Sequence, residues 1–157
     1  MQIPDEVYQT VLRSMPIPCV DLIVFNSARE ILLVRRTNEP ARGQWWFPGG
    51  RVHFEESREV AVMRVLMQEC GLRAGRVEEL STLDVILPLE SAGRVSHAIA
   101  TFYLVTVDSP CKITLDDQAS DFAWKKPALW EKEPLNAFVR DALRRAVEHL
   151  TEHENAG

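Results

Sequence analysis

The sequence predicts an α/β fold in which a mixed β-sheet is sandwiched between helices. Segments rich in aliphatic and β-branched residues, typical of strands, are interleaved with segments of helical pattern. The two main helical segments lie in the middle and near the C-terminal end of the chain, so each can cover one face of the sheet. At 157 residues, with 46% hydrophobic and 26% charged residues, residues 1–157 are expected to form a single domain with its own core.

The chain begins with a short amphipathic segment, residues 4–14, which predicts a helix that ends before Pro16. Residues 20–25 and 31–35 follow as two strands, because both are rich in aliphatic and β-branched side chains. Residues 26–29 between them favour a hairpin turn. The helix either covers the core or takes part in binding, and the sequence leaves both interpretations open.

A Pro-Gly-Gly turn at residues 48–50 leads through polar residues into a helical run at 57–70. Gly71 is placed as the C-terminal cap of this helix. Apolar residues nearly surround the run, which predicts that the helix packs on more than one side.

Two charged residues, Arg64 and Glu69, lie within this apolar helix. A buried charge is costly unless it is paired or holds a metal, so each needs a local partner. Glu56 can pair with Arg64. Glu69 can reach back to the glycine turn, whose backbone carbonyls are oxygen ligands suited to magnesium.

The second half of the chain predicts two long strands, a short strand and a helix. Residues 77–89 and 95–107 have the composition and alternation of strands, and residues 121–125 form a short last strand. Residues 134–150 show the apolar stripe of a helix with one buried side. The tail, residues 151–157, is expected to fray.

Bulk properties exclude several classes of protein. The net charge of −5 argues against binding to nucleic acid, which needs clustered Lys and Arg. Cys19, Cys70 and Cys111 are far apart and lack metal spacing, which indicates reduced thiols. The N-terminus does not resemble a signal peptide, and no stretch is long enough to span a membrane. These features predict a soluble, cytoplasmic protein.

From Gly50 to Leu72 the chain resembles the Nudix box, G-x5-E-x7-R-E-U-x-E-E-x-G-U, in which U is a bulky aliphatic residue. The residues in register are Gly50, Glu56, Arg64, Leu66, Glu69, Gly71 and Leu72. Val65 and Gln68 depart from the pattern, because they stand where most members have glutamates around their metals. The resemblance implies a hydrolase with the Nudix fold, an α/β/α sandwich, and with residues 50–72 as its box.

One Nudix subfamily, the GDP-mannose mannosyl hydrolases, lacks the same two glutamates, and the likeness to it covers most of residues 1–126. Its members resemble this chain at residues 11–16 (VxRSxP), Val20-Asp21-Leu22, Arg36-Thr37-Asn38, Pro40-Ala41, Gly43, Trp45, residues 48–51, residues 115–118, Asp121-Phe122 and Trp124. Residues 115–118 resemble the stretch that supplies the last metal ligand of the subfamily.

The resemblance implies that the substrate is a small-molecule nucleotide sugar, GDP-mannose, which water would cleave at the anomeric carbon to GDP and mannose. The implied ligands of one Mg²⁺, or of Mn²⁺ in its place, are the Gly49 carbonyl, Glu69 and Gln118. Arg36 and Arg51 are the implied partners of the diphosphate, to which a guanidinium donates paired hydrogen bonds.

Further site residues follow from the same resemblance. Asp21 is implied near developing positive charge at the sugar carbon, although it could instead pair with an arginine inside its strand. The resemblance also implies that Arg64 of the box is a catalytic residue. In the subfamily the N-terminal arm, here residues 1–16, helps to bind the nucleotide, sometimes across a dimer interface. That role would involve Ile3 and Tyr8 and predicts a homodimer.

The general base departs from the subfamily, which has a histidine directly after the metal-binding glutamine. This chain has Ala119 there, and loss of a general base typically lowers the rate on the order of 10²–10⁴-fold. His97, Asp117 and Asp121 are the candidate replacements, and His97 is taken as the catalytic candidate. The alternative for His97 is a surface or capping role.

Two other functions stay open. A Nudix pyrophosphatase that cleaves between phosphates would have to recruit a carboxylate from outside the box, and Glu55 and Glu56 are retained. A nucleotide-sugar binder without turnover is consistent with Ala119. Turnover with Mg²⁺ distinguishes the binder from the enzymes, and the identity of the products distinguishes the two enzymes from each other.

Overall fold

A computed structural model describes residues 2–108 and 112–157 of the chain. Its helices are α1 (Asp5–Ser14), α2 (Arg58–Cys70), α3 (Pro127–Trp130) and α4 (Ala137–Asn155), with a 3-10 turn at Glu90–Ala92. Its strands are β1 (Ile17–Phe25), β2 (Ile31–Arg36), β3 (Trp45–Trp46), β4 (Gly49–Arg51), β5 (Val77–Leu89), β6 (Arg94–Thr106) and β7 (Ala119–Lys125).

Strand β1 lies at the centre of a mixed sheet. It runs parallel to β6 over its whole length and antiparallel to β4 and to the start of β2. From β2 the sheet continues to β3 and β7, while β5 and β6 form a long antiparallel hairpin. The predicted mixed sheet is confirmed.

The two faces of β1 contribute to separate apolar cores, because successive side chains of a strand point to opposite faces. Leu22 and Val24 pack with the buried face of α2. Ile23 and Phe25 pack on the other side, with the buried face of α4. Helices therefore cover both faces of the sheet, as the sequence predicts.

Helix α2 is capped at both ends, and its C-terminal cap is the one that the sequence predicts. The side chain of Ser57 accepts a hydrogen bond from the backbone N–H of Val60 at its start. At its end Gly71 adopts a left-handed conformation with φ of 68°, and its N–H caps the helix on Leu66 and Met67. The position of α2 is thus fixed at both ends.

The expectation that α2 packs on more than one side is wrong. Its buried residues are Ala61, Val62, Val65, Leu66 and Cys70. Val60, Met63 and Met67 on the other side are 42–51% exposed. One face of α2 contacts the sheet, and the apolar residues of its outer face remain at the surface.

The C-terminal helix differs from its prediction. It begins at residue 137, after Asn136 accepts a hydrogen bond from the N–H of Phe138, and it continues to residue 155. The predicted fraying from residue 151 is wrong, because residues 151–155 continue the helix. Glu154, in this last part of the helix, pairs with Arg29.

Two of the three cysteines lie among the described residues. Cys19 and Cys70 are free thiols, whereas Cys111 lies outside the described residues. Within residues 2–108 and 112–157, no helix is both long and apolar enough to cross a bilayer.

Gly71→Ala is expected to lower the free energy of unfolding by about 2 kcal/mol, from backbone strain and from crowding. Its φ of 68° disfavours a side chain, and an added Cβ would lie 3.2 Å from Cβ of Thr114. The control is Gly93→Ala, where φ is 59° but the surroundings are open; we expect a loss of about 1 kcal/mol there. Urea denaturation measures both, and equal losses would show that the contact with Thr114 adds nothing.

Candidate active site

A cavity of about 350 Å³ lies against the central strands and helix α1. Its polar lining includes five residues that the sequence predicts for the site, namely Tyr8, Asp21, Arg36, Arg51 and His97. Gly49 lines it too, and apolar residues of α1, β5 and β6 form much of the remaining wall. Residues that are far apart in the chain are thus brought into one site.

Helix α1 forms one wall of the cavity through Tyr8 and Leu12. The guanidinium carbon of Arg51 lies 5.4 Å from the centre of the Tyr8 ring, within the range of a cation–π contact. None of the residues of α1 is buried, so this wall is weakly anchored. Among the described residues that line the cavity Ile3 does not appear, so the structure brings only Tyr8 of the predicted pair to the site.

Asp21 is a buried carboxylate in the cavity lining, with 9% of its surface exposed. Burial raises its pKa to about 7, although Arg36 and a hydrogen bond from the Trp46 side chain oppose the shift. Gly49 stands opposite Asp21 in the β1–β4 register. A Cβ at Gly49 would collide with the Asp21 carboxylate and lie 2.8 Å from the Val20 carbonyl oxygen, so this close approach requires glycine.

Glu69 reaches from α2 to the same turn, as the sequence predicts. Its Oε2 accepts a hydrogen bond of 3.2 Å from the backbone N–H of Gly49. Burial raises the pKa of Glu69 to about 8; the hydrogen bond from Gly49 opposes the shift, and the charges of Asp116 and Asp21 add to it. The charges of Asp116 and Asp21 therefore both disfavour the ionised form of Glu69, and the charge of Arg36 favours it.

Arg36 lies at the end of β2, close to this acidic cluster and in the cavity lining. Its Nε donates a hydrogen bond of 2.7 Å to the carbonyl oxygen of Pro40. Burial lowers the pKa of Arg36, whereas the charges of Asp21 and Glu69 raise it. Arg35, the preceding residue, is exposed and stacks over Trp45 at 4.7 Å, so the two arginines have different surroundings.

Arg64 binds the loop that precedes α2 and does not appear among the described residues that line the cavity. Its Nε and Nη2 donate to the two oxygens of Glu56 at 2.6 and 2.9 Å, as the predicted pairing requires. Nη2 also donates to the carbonyl oxygen of Arg51 at 2.8 Å. Arg64 therefore acts as a positioning residue for the loop and for Arg51. The catalytic role that the resemblance implies for Arg64 stays a prediction, since Arg64 is not among the described residues that line the cavity.

Comparison with known protein families identifies the family, because the sequence model of the NUDIX domain family matches residues 15–146 of this chain. The chain belongs to the Nudix hydrolase family. The resemblance to the Nudix family and the predicted Nudix fold are both confirmed, whereas the mannosyl hydrolase subtype stays a prediction. Nudix hydrolases act on small-molecule nucleotide derivatives and generally use divalent cations such as Mg²⁺.

Two Nudix relatives align with nearly the full chain. The low-salt glycan biosynthesis protein Agl8 of Haloferax volcanii is 30% identical, with 90% of this chain and 91% of Agl8 covered. The RNA pyrophosphohydrolase of Pseudomonas aeruginosa is 41% identical, with 85% of this chain and 90% of that protein covered.

Solved structures share the fold. The NUDIX domain of Shewanella oneidensis NrtR, crystallised with ADP ribose, superposes with a TM-score of 0.73 at 22% identity and covers 94% of this chain and 99% of that domain. A MutT NUDIX hydrolase of Burkholderia pseudomallei gives a TM-score of 0.69 at 25% identity, covering 84% of this chain and 98% of that one.

The two departures from the Nudix box have structural roles. Val65 is 2% exposed and packs in the core beneath α2. The amide oxygen of Gln68 accepts a hydrogen bond of 3.1 Å from Nη1 of Arg64. Neither side chain supplies the carboxylate that most Nudix boxes carry at these positions.

Gln118, predicted as a metal ligand, is exposed, and its amide oxygen accepts a hydrogen bond of 3.1 Å from Asn38. Its backbone N–H donates to the Asp116 carboxylate at 3.0 Å. The ligand role of Gln118 stays a prediction. Asp116, whose charge acts on Glu69, is a site residue that sequence reasoning missed; the available signal was its acidic side chain two residues before Gln118.

The three candidates for the missing base differ in position. His97 lines the cavity, with Nε2 3.4 Å from Oδ1 of Asp84. Asp117 and Asp121 are exposed and are not among the described residues of the lining. Ala119 begins β7 opposite Arg36, so the position of the histidine of the resembled subfamily lies beside the site.

The donor set at the Gly49 turn fits a hard divalent cation. Asp21 and Glu69 are buried acids whose charged forms are disfavoured by burial, and Asp116 and Asp21 add repulsion at Glu69. A divalent cation would relieve this repulsion, and carboxylate and carbonyl oxygens are its preferred ligands. Glu69 and the carbonyl of Gly49 are the residues of this turn that would hold it.

Glu56→Gln is expected to lower the free energy of unfolding by about 2 kcal/mol at neutral pH, because it leaves Arg64 without its charged partner. The hydrogen bonds from Arg64 lower the pKa of Glu56 to about 2, below its ordinary value of 4.5. The ionised pair therefore stabilises the fold above about pH 4.5, and this stabilisation is lost as the pH falls towards about 2.

Urea denaturation of wild type and variant at several pH values measures this difference. The control is Glu59→Gln, an exposed residue in the first turn of α2, which should change stability by less than about 0.5 kcal/mol. A difference between wild type and Glu56→Gln that stays constant down to about pH 3 would exclude the ionised pair as its source.

Proposed function

We propose that this Nudix hydrolase cleaves a nucleotide sugar, GDP-mannose, to GDP and mannose by water attack at the anomeric carbon. The observation that carries the proposal is the loss of two box carboxylates. Val65 is buried in the core and Gln68 is bound to Arg64, whereas Glu69 keeps its contact with Gly49. A helix with one carboxylate at the turn favours a single cation on the diphosphate over the several metals that assist attack at phosphorus.

The cavity has the size and chemistry for such a substrate. Its volume of about 350 Å³ lies within the range of small-molecule sites. Arg36 and Arg51 both line it and can donate to phosphate oxygens. Tyr8, in contact with Arg51, offers an aromatic face at the rim of the cavity on which the nucleobase can stack.

The proposed cofactor is Mg²⁺, with Mn²⁺ as a substitute, held by Glu69, the Gly49 carbonyl and Gln118 or Asp116. When bound, it supplies Lewis-acid neutralisation of charge on the diphosphate. Arg36 adds fixed positive charge beside the same oxygens, and a departing nucleoside diphosphate is stabilised by both.

Asp21 and His97 have the roles closest to the reacting carbon. Asp21, buried in the cavity lining, would stabilise positive charge that develops at the sugar carbon. Its pKa, raised by burial to about 7, also suits proton transfer near neutral pH. His97 is the proposed base that replaces the missing histidine, because it alone of the three sequence candidates is among the described lining residues.

The relatives support two substrate classes. Agl8 is named for glycan biosynthesis, and sugars for glycans are commonly activated as nucleotide sugars. The RNA pyrophosphohydrolase instead favours the second candidate, cleavage between phosphates. That reaction is also favoured by Asp116, which adds a carboxylate from outside the box to Asp21 and Glu69.

A cytoplasmic homodimer, with the N-terminal arm at its interface, belongs to the same proposal. Val7 and Met15 of this region are 53% and 56% exposed. A second copy of the chain would cover this apolar surface and would give Ile3 its expected part in binding.

The experiment that tests the reaction is incubation with GDP-mannose and Mg²⁺ in ¹⁸O-labelled water. We expect GDP and ¹⁸O-labelled mannose, separated by chromatography and identified by mass. GMP with mannose 1-phosphate would instead establish the pyrophosphatase. No product from this or from other nucleotide sugars would leave binding without turnover.

Two matched variants test the metal assignment in the same assay. Glu69→Gln should lower turnover on the order of 10²-fold or more, since the buried ligand is lost. Glu59→Gln, which changes an exposed residue in the first turn of the same helix, should leave turnover unchanged. Full activity of Glu69→Gln would remove Glu69 from the metal site.

Ala119→His is expected to raise turnover about tenfold, because a base at the start of β7 opposite Arg36 would add to the one proposed at His97, which lies on β6 across β2 and β1. The control is Ala119→Asn, which adds a polar side chain without a titrating group. Initial rates at saturating GDP-mannose measure the effect. Equal rates for the His and Asn variants would show that the base lies elsewhere, with His97→Asn as the next variant to measure.

A further inference from the structure

Two histidines of α4 lie on the same side of the helix and face β5. His149 and His153 are four residues apart, so they are neighbours one turn apart on the helix surface. Glu78, near the start of β5, reaches the same point from the sheet. The three side chains come from two elements that are far apart in the chain.

Their potential ligand atoms are close together. Oε1 of Glu78 lies 2.9 Å from Nε2 of His149 and 3.8 Å from Nε2 of His153. One ligand atom from each residue lies within 4.8 Å of the other two. Ligands of a tetrahedral Zn²⁺ are about 3.4 Å apart, from metal–ligand distances of about 2.1 Å. Small side-chain rotations would bring all three to one metal ion.

A hydrogen-bonded ion pair accounts for only part of this arrangement. His149 and Glu78 are at hydrogen-bond distance, but His153 at 3.8 Å from the same oxygen is not. The two imidazole rings also approach with centroids 4.3 Å apart. Two imidazole nitrogens beside one carboxylate oxygen also form a donor set that suits a shared metal ion.

We propose that Glu78, His149 and His153 form a binding site for a divalent transition metal, with Zn²⁺ as the preferred ion. Imidazole nitrogen favours Zn²⁺, Cu²⁺ and Ni²⁺, whereas Mg²⁺ prefers oxygen ligands. Two histidines with one glutamate form a known zinc ligand set that leaves a coordination position for water. Glu78 also borders a cavity of about 190 Å³, which gives solvent access to this position.

The site is separate from the candidate active site. None of its three residues belongs to the described lining of the large cavity that contains Asp21 and Arg36. Its ligands join the last turns of α4 to the first residues of β5. Bound metal would therefore fasten the end of α4 to the sheet without entering the hydrolytic site.

The test is a calorimetric titration of the full chain with Zn²⁺ in buffer that contains excess Mg²⁺. The Mg²⁺ is added to fill the proposed magnesium site at Glu69 and the Gly49 carbonyl. We expect one Zn²⁺ per chain in wild type and in Glu69→Gln. His153→Asn should weaken binding at least about tenfold, and loss of both histidines should abolish it. Replacement of Zn²⁺ by Co²⁺ should give a visible absorption band that the double variant lacks.

Two controls accompany the titration. His53→Asn removes a histidine outside the cluster, and Glu152→Gln removes an exposed charge next to His153; both should bind Zn²⁺ as wild type does. Thermal unfolding without metal checks that every variant is folded. Equal affinity in wild type and His153→Asn, or no binding to wild type at a large excess of Zn²⁺, would overturn the proposal and leave an ion pair.

Discussion

The structure depends on the burial of β1 on both of its faces. Parallel pairing with β6 along the whole strand, and antiparallel pairing with β4, fix which of its side chains enter each core. The same alternation directs the one carboxylate of the strand, Asp21, to the cavity. The electrostatics of the site follow from the burial of this carboxylate. Burial raises the pKa of Asp21, and the positive charge of Arg36 offsets only part of that shift.

Most residues that match the box pattern position other parts of the site. Glu56 and Arg64 hold the loop before α2 and bind the backbone of Arg51, whose side chain lines the cavity. Gly71 ends the helix, and Glu69 alone of the matched residues joins α2 to the Gly49 turn through a carboxylate. A box that lacks two glutamates therefore keeps the ion pair, the helix cap and the turn contact of its scaffold.

The sequence predicts the parts of this structure that depend on local pattern. The C-terminal cap of α2, the long strands and the pairing of Glu56 with Arg64 all follow from residues close together in the chain. The short strands β3 and β4 carry too few residues for a pattern, and the end of α4, which the sequence predicts to fray, contacts the distant Arg29. Asp116 and the cluster at Glu78 were missed for the same reason, since proximity to their partners arises only in the folded chain.

The exposure of α1 affects the rates at which this wall of the cavity opens and closes. Because α1 has no buried residue, its backbone amides should exchange with solvent through local opening rather than through global unfolding. A ligand that contacts Tyr8 must then hold the helix closed from its own binding energy. Affinity and the rate of ligand release are thereby linked to the stability of one ten-residue helix, so substitutions on its outer face can tune turnover without touching the cavity.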